Sequence, residues 1–340
     1  METKTVQLKC IDETNPRDVL AALGAFKVAS LLDGNAKMRW VGAVPVIESG
    51  ATVEDIATKF YKTIRELCAL PLSPGASLGM PVLKSRGDVT AAWKREWSEI
   101  IGLLPPGSLA YDRNVRIRVD NFREVVRREI ARDPQSLATE MLAALGSDAC
   151  IEREGSHAGK IRTSSFNLAN GGSNKCLLCD LVICVSLLNE KKIIDDLRGP
   201  IRAEDEYGSL GLDPSDMHDR ATESLGDEDG EGGFGTKSIT NATLNALAFI
   251  GLSFFPVMPD NFGRARTGGF DKLGTKWVWP IWTPRLSLRM VGTLLLSPML
   301  QADPPDKAAL ARCGVESLYE SRLEDPNDQG RAFFRPSKLL

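Results

Sequence analysis

The stretch from Ile11 to Leu32, I-D-E-T-N-P-R-D-V-L-A-A-L-G-A-F-K-V-A-S-L-L, constrains the fold of this chain more than any other. Asn15 is suited to cap a helix, since its short side chain accepts from an orphan N–H of the first turn. Pro16 fits the first helical position, where a missing N–H costs nothing. Asp18 puts negative charge in the first turn, where the helix dipole favours it. Val19, Leu20, Leu23, Phe26 and Leu31 then recur at helical spacing, so one side is expected to be buried. Gly24 lies inside this helix, where Gly costs about 1 kcal/mol relative to Ala. Close approach of another backbone would account for it. On these residues alone the stretch is an amphipathic first helix, with K-M-R-W following at 37–40.

With 340 residues the chain can form one large domain or two ordinary ones. Its formal net charge of −3 makes no global case for nucleic acid but leaves room for local basic patches. Met1–Gln7 is polar and no apolar segment follows, so no signal peptide is expected. Of the longest apolar runs, 244–258 is interrupted by Asn245 and Pro256, and 281–299 by Pro284, Arg285 and Arg289. Neither reads as a membrane span. Seven scattered cysteines, an odd number, point to a reducing cytosol rather than a disulfide framework. A cytoplasmic protein with no membrane partner is expected.

The fold class expected is α+β, mixed helices and short strands in two lobes, with the strand order open. The boundaries are 1–200 for an N-terminal lobe, 201–235 for an acidic, Gly-rich connection, and 236–340 for a C-terminal lobe. Arg39–Ile47 reads as a strand, with Pro45 indicating an edge or bulge. Thr52 to Leu70 reads as a helix capped by Thr52, with Ile56, Phe60, Ile64 and Leu67 on one face. Asp88 opens another helix with a Trp93, Trp97, Ile100 and Leu104 stripe, a core face rather than a ligand box. Val115, Ile117 and Val119 alternate with Arg116 and Arg118 as a strand, and a helix over Phe122–Ala131 carries Arg123, Arg127 and Arg128. Leu137–Leu145 is a short helix, 157–174 a polar loop, and a further helix runs from Ser173 or Asn174 to Leu188. From Thr240 an apolar helix leads to Phe254-Phe255-Pro256. Trp277–Trp282 and Pro284–Ser287 then read as a strand and the start of another helix.

Catalytic motifs are weak. Cys176 and Cys179 have the spacing of half a zinc site, but only Cys150 and His157 are available to complete it, at irregular spacing. Buried thiols on an apolar helix are the better reading. His157 and His218, the two histidines, sit in no base–nucleophile or metal-ligand motif. There is no phosphate-binding G-x-x-x-x-G-K-[ST] and no G-x-S-x-G. The acidic clusters at 204–206 and 227–231 fit solvated loops. No enzymatic activity, metal or cofactor is therefore expected.

Basic segments hold the binding candidates. Lys160, Arg162, Asn170, Asn174 and Lys175 crowd around Gly171-Gly172 just before a helix, where backbone N–H groups and cations suit a phosphate. An ordinary polar loop with an N-cap is the alternative. Arg116, Arg118, Arg127 and Arg128 form either a phosphate-binding face or, with Glu124, Glu129 and Asp133, a salt-bridged surface. Arg264 and Arg266, in N-F-G-R-A-R-T-G-G-F, make a second basic loop that could reach a nucleic-acid groove or lie in solvent.

Several landmarks, in order, resemble a family of CRISPR-associated proteins of subtype I-G, formerly I-U. They are D-E-T-N-P-R-D-V-L-A-A-L-G at 12–24, M-R-W at 38–40 and F-N-L-A-N-G-G-S-N-K at 166–175. L-R-G-P-I-R at 197–202, L-G-L-D-P-S-D-M-H-D-R at 210–220, N-A-L-A-F-I-G-L-S-F-F-P at 245–256 and W-V-W-P-I-W-T-P-R-L-S at 277–287 continue the series. Cys176 and Cys179 are no part of that pattern. The resemblance implies a large-subunit-like, non-catalytic component of an RNA-guided antiviral surveillance complex. Its partners would be other effector subunits, guide RNA and target DNA, with flanking-motif or backbone contacts made by protein. The alternatives are a protein-interaction scaffold without nucleic-acid contact, or a metal-dependent enzyme using the acidic clusters.

Overall fold

The structure, a computed structural model, describes residues 3–68, 118–155, 158–168, 177–200, 203–205, 210–214, 240–324 and 333–340. The helix expected from Asp88, the strand residues Val115 and Ile117, the candidates Arg116, Asn170, Asn174 and Lys175, and the acidic run 227–231 lie outside these residues.

β1 (Lys4–Gln7) leads into α1 (Pro16–Leu32). Asn15 Oδ1 accepts the Arg17 N–H at 3.0 Å, and Pro16 opens the helix, as the sequence requires. The expectation of a half-buried helix does not hold. Every residue from Pro16 to Ala29 is buried, and exposure begins only at the end, with Leu31 and Leu32.

Burial on all sides forces the polar residues of α1 into pairs. Arg17 Nη1 lies 2.6 Å from Asp213 Oδ2 and its Nη2 2.7 Å from Asp18 Oδ1, while Lys27 pairs with Glu140. Burial pushes the Asp18 carboxyl above its ordinary range, against the Arg17 charge and the Asp12 N–H bond.

β2 (Lys37–Val41) and β3 (Val44–Ser49) form a hairpin where one strand over Arg39–Ile47 was expected. The reversal sits at Gly42-Ala43, with Gly42 at φ +59°, a value glycine adopts without strain. Pro45 lies in an inner strand, not at an edge. It stands near the start of β3, one residue short of Val46, the last residue paired with β1. α2 (Val53–Cys68) starts on a capping box in which the Asp55 N–H donates to Thr52 Oγ1 and the Thr52 N–H to Asp55 Oδ2. Its expected face, Ile56, Phe60, Ile64 and Leu67, is buried.

α3 (Val119–Arg132) takes in Val119, which the alternation had placed in a strand. Asp120 in the first turn and the buried Phe122, Val125 and Glu129 give the segment helical rather than period-two burial. α4 (Leu137–Leu145) follows as expected and runs into β4 (Gly146–Ile151). The polar loop expected over 157–174 contains β5 (Ile161–Thr163), paired with β4. α5 (Leu177–Leu187) and α6 (Glu190–Arg198) come next.

α7 (Ala242–Gly251) is capped by Asn241, whose Oδ1 accepts the Leu244 N–H at 2.8 Å, and all its residues are buried. It crosses α1 at a pair of glycines. A Cβ on Gly24 would lie 1.9 Å from the Leu247 carbonyl oxygen, and one on Gly251 would lie 2.1 Å from that of Leu20. The close backbone approach inferred for Gly24 is this crossing.

β6 (Val257–Pro259) and β7 (Ala265–Thr267) form a hairpin against β4. β8 (Lys276–Trp282) lines the core with Trp277, Trp279 and Trp282. Trp279 Nε1 donates to Glu13 O at 3.0 Å and Trp282 Nε1 to Met38 O at 3.1 Å, tying this strand to the N-terminal part. β9 (Leu286–Ser287) adds an edge to the β1-β3-β2 sheet, and α8 (Leu288–Leu295) follows it. β10 (Val315–Glu324) pairs antiparallel with β8, β11 (Phe333–Phe334) and β12 (Lys338–Leu339).

The fold is α+β, and the antiparallel sheets are small. One apolar core contains Val6 and Phe26 from before residue 201 and Phe249, Trp279 and Phe334 from beyond 235, so both expected lobes contribute to it. Among the described residues no helix is long and apolar enough to cross a membrane.

A candidate nucleic-acid interface

The sequence candidates that come together do so around β5. Arg162, on β5, meets Arg264 and Arg266, from the β6–β7 hairpin, across a cleft of about 420 Å³. Glu152, Asp260 and Asp271 also line it, as do Lys272 and Leu273 from the turn before β8. The walls are held by hydroxyls beneath them: the Ser165 N–H donates to Thr267 Oγ1 at 2.7 Å, and Ser164 Oγ lies 3.3 Å from the same oxygen. β7 is thereby fixed against the end of β5.

Two turns of one design stand at this cleft. Asp260-Asn261-Phe262-Gly263-Arg264 and Asp271-Lys272-Leu273-Gly274-Thr275 share the pattern Asp-x-apolar-Gly-x. Asp260 Oδ1 accepts the Phe262 and Arg264 N–H groups, both at 2.8 Å, and Asp271 Oδ1 accepts the Thr275 N–H at 2.8 Å. In each, Gly at φ +71° closes the turn, a conformation that favours glycine. The apolar residue of each then points to solvent: Phe262 is 77% and Leu273 82% exposed. No other large apolar side chain among the described residues is as exposed.

The acids and cations here have different tasks. The Asp260 side chain is only 6% exposed. Burial works against its charge, but the N–H groups of Arg264 and Phe262 and the Arg264 guanidinium prevail and bring its carboxyl down to about 2. Arg264 Nε donates to Asp260 Oδ2 at 2.7 Å, and Arg162 Nε to Glu152 Oε2 at 3.1 Å. Both arginines use Nε for these bonds, so with respect to the described residues their terminal nitrogens keep donors for a ligand. Arg266 lies 3.7 Å from Asp260 Oδ2, and its buried Nε has no hydrogen-bond partner among the described residues. The Arg264 guanidinium carbon sits 5.1 Å from the centre of the Phe262 ring. Arg153 is exposed beside the same turn, its Nη2 3.8 Å from where a Cβ on Gly263 would be.

The other candidates divide. Arg118 and Lys160 are neighbours through an isolated bridge, and the Val119 N–H donates to Gly159 O at 3.0 Å. Lys160 lies two residues before Arg162 on an extended segment, so the two share a face. On α3, Arg128 Nε donates to buried Glu129 at 3.0 Å, Arg132 lies 3.7 Å from the same carboxylate, and Arg123 bonds Asp148 at 3.0 Å. That is the salt-bridged surface, with Arg127 exposed and without an ion pair among the described residues. Asp205, in the acidic cluster at 204–206, accepts the Ala242 N–H at 2.8 Å and faces Lys192, so it caps α7.

No protein-family model matches the chain, and no curated protein matches it.

Sequence reasoning overlooked Phe262, Lys272, Leu273 and Arg153. The repeat of Asp-x-apolar-Gly within 260–275 was the available signal for the first three. Nothing local distinguished Arg153, which the hairpin fold brings to the turn.

Proposed function

We propose that the protein is a non-catalytic subunit of a CRISPR RNA-guided antiviral surveillance complex that contacts target DNA through its backbone or flanking motif. The observation that carries this reading is the convergence of Arg162, Arg264, Arg266 and Lys272, from three segments, on one open cleft. Cations with spare donors, gathered by tertiary contact on a chain of net charge −3, suit a phosphate backbone. Arg118 and Lys160 extend the basic track along the approach to β5. The landmarks from Asn15-Pro16 to the Trp277–Trp282 strand supply the family context, and one core connecting them suits a single rigid subunit.

The test is target-DNA binding by the assembled complex across a salt series. The cleft variant Arg162→Gln/Arg266→Gln/Lys272→Gln should weaken binding and flatten the salt slope by about one for each phosphate no longer neutralised. An unchanged affinity and slope would remove the cleft from the interface. The scaffold reading draws on α3, where the ion pairs of Arg123, Arg128 and Arg132 describe a surface already neutralised. It predicts that the complex loses subunits, not salt dependence, when α3 is altered.

A further inference from the structure

We propose that the cleft takes a single-stranded segment of nucleic acid, with an unpaired base stacked on Phe262 and its phosphates on Arg162, Arg264 and Arg266. This rests on the reading of the cleft as a nucleic-acid interface and adds what kind of strand it holds. A backbone clamp for duplex DNA has no use for apolar side chains in solvent. Here the two most exposed large apolar residues among the described residues sit on matched turns at the cleft, Phe262 beside Arg264 and Leu273 in its wall.

Exposure of this kind is unfavourable in water, and each turn holds it in place with a carboxylate bonded to its own backbone N–H groups. An aromatic face carried on a rigid turn next to guanidinium groups is the arrangement single strands require. Bases stack on the ring, the cations track the backbone, and no base pair must open to reach the ring. Leu273, in the cleft wall, offers an unstacked base a further apolar contact. In a duplex the bases already stack on one another, so Phe262 has no partner there.

The experiment uses the purified full chain with a fluorescein-labelled 12-nucleotide single-stranded DNA of mixed sequence and a hairpin duplex of the same sequence, each titrated across salt. Phe262→Ala is expected to lose about tenfold in affinity for the single strand, with the salt slope and duplex affinity unchanged. Phe262→Trp should restore single-strand affinity, and its emission should quench on binding relative to the native chain. Arg162→Gln/Arg266→Gln should flatten the slope for both probes. Phe262 touches solvent, so truncating it leaves the core intact. If Phe262→Ala binds the single strand as the native chain does while the arginine variant flattens the slope, the stacking inference falls and the backbone reading stands. If the native chain binds neither probe, both fall. If a poly-glutamate peptide binds as tightly and with the same dependence on Phe262, the cleft is an acidic-peptide site and the inference is overturned.

Discussion

Gly24 and Gly251 face each other's helices at the centre of the molecule, each seated on the partner's backbone, at Leu247 and Leu20. The crossing joins the first helix of the chain to one more than two hundred residues later, and both are buried on every side.

Gly24→Ala or Gly251→Ala should therefore destabilise the protein by about 3 kcal/mol, because the obstacle is a main-chain carbonyl that cannot swing aside. Gly34→Ala is the control. A Cβ there meets nothing within 4 Å, so its urea-unfolding midpoint should match the native one. Equal midpoints for all three variants would disprove the tight crossing.

Arg17 answers two buried carboxylates, Asp18 and Asp213. Its replacement by Ala should cost roughly 3–5 kcal/mol at neutral pH, the usual result of stranding buried charge. The loss should shrink in acid. The Asp18 carboxyl is raised by burial, so its contribution to stability is fully present below 3.8 and is lost as pH rises through its folded value. Without Arg17 that window moves upward. Unfolding free energies measured from pH 4 to 8 would show the mutant and native curves converging toward acid, and parallel curves would count against the cluster.

Asp260 behaves in the opposite sense. Its folded value, about 2, lies below the ordinary 3.8, so its support of the hairpin turn is present above 3.8 and lost as pH falls through about 2. Carboxyl carbon resonances should record this titration directly. Arg264→Ala should move it upward, toward but not to 3.8, since the backbone N–H donors remain. A native titration at or above 3.8 would contradict the turn geometry.

Cys10 and Cys68 should resist alkylation in the native protein. Burial pushes both thiols up to about 12, with the nearby Asp18 charge adding to the effect at Cys10. Cys313 is exposed. Iodoacetamide at pH 8 followed by peptide mass mapping should label Cys313 in the folded chain, and Cys10 and Cys68 only after urea. Native labelling of Cys10 would mean that the entry to α1 opens.

Much of the local structure could be read from single segments. Asn15 with Pro16, Thr52 with Asp55, and Asn241 before an apolar run are start signals whose chemistry is complete within a few residues, and each opens a helix. Errors arose where neighbours decided. Val119 alternated with arginines but joined α3, because the Phe122, Val125 and Glu129 spacing gave it a core face. The Arg39–Ile47 run broke at Gly42 because a two-residue reversal lets its halves pair with each other. Half of the candidate cleft was legible as isolated arginines, whereas Phe262 and Leu273 looked like ordinary apolar residues until their turns aimed them outward.

By itself the sequence determined where α1 and α2 begin, which residues are too apolar to stay in water, and that Gly24 must meet something close. Those properties depend on groups a few residues apart. The tertiary structure alone decided that Gly24 meets Leu247, that Arg17 is held by Asp213, and that Arg162 shares a cleft with Arg264 and Arg266. Each of these joins residues about a hundred or more positions apart, and such pairings are selected by the packing of the whole core, which no local pattern encodes.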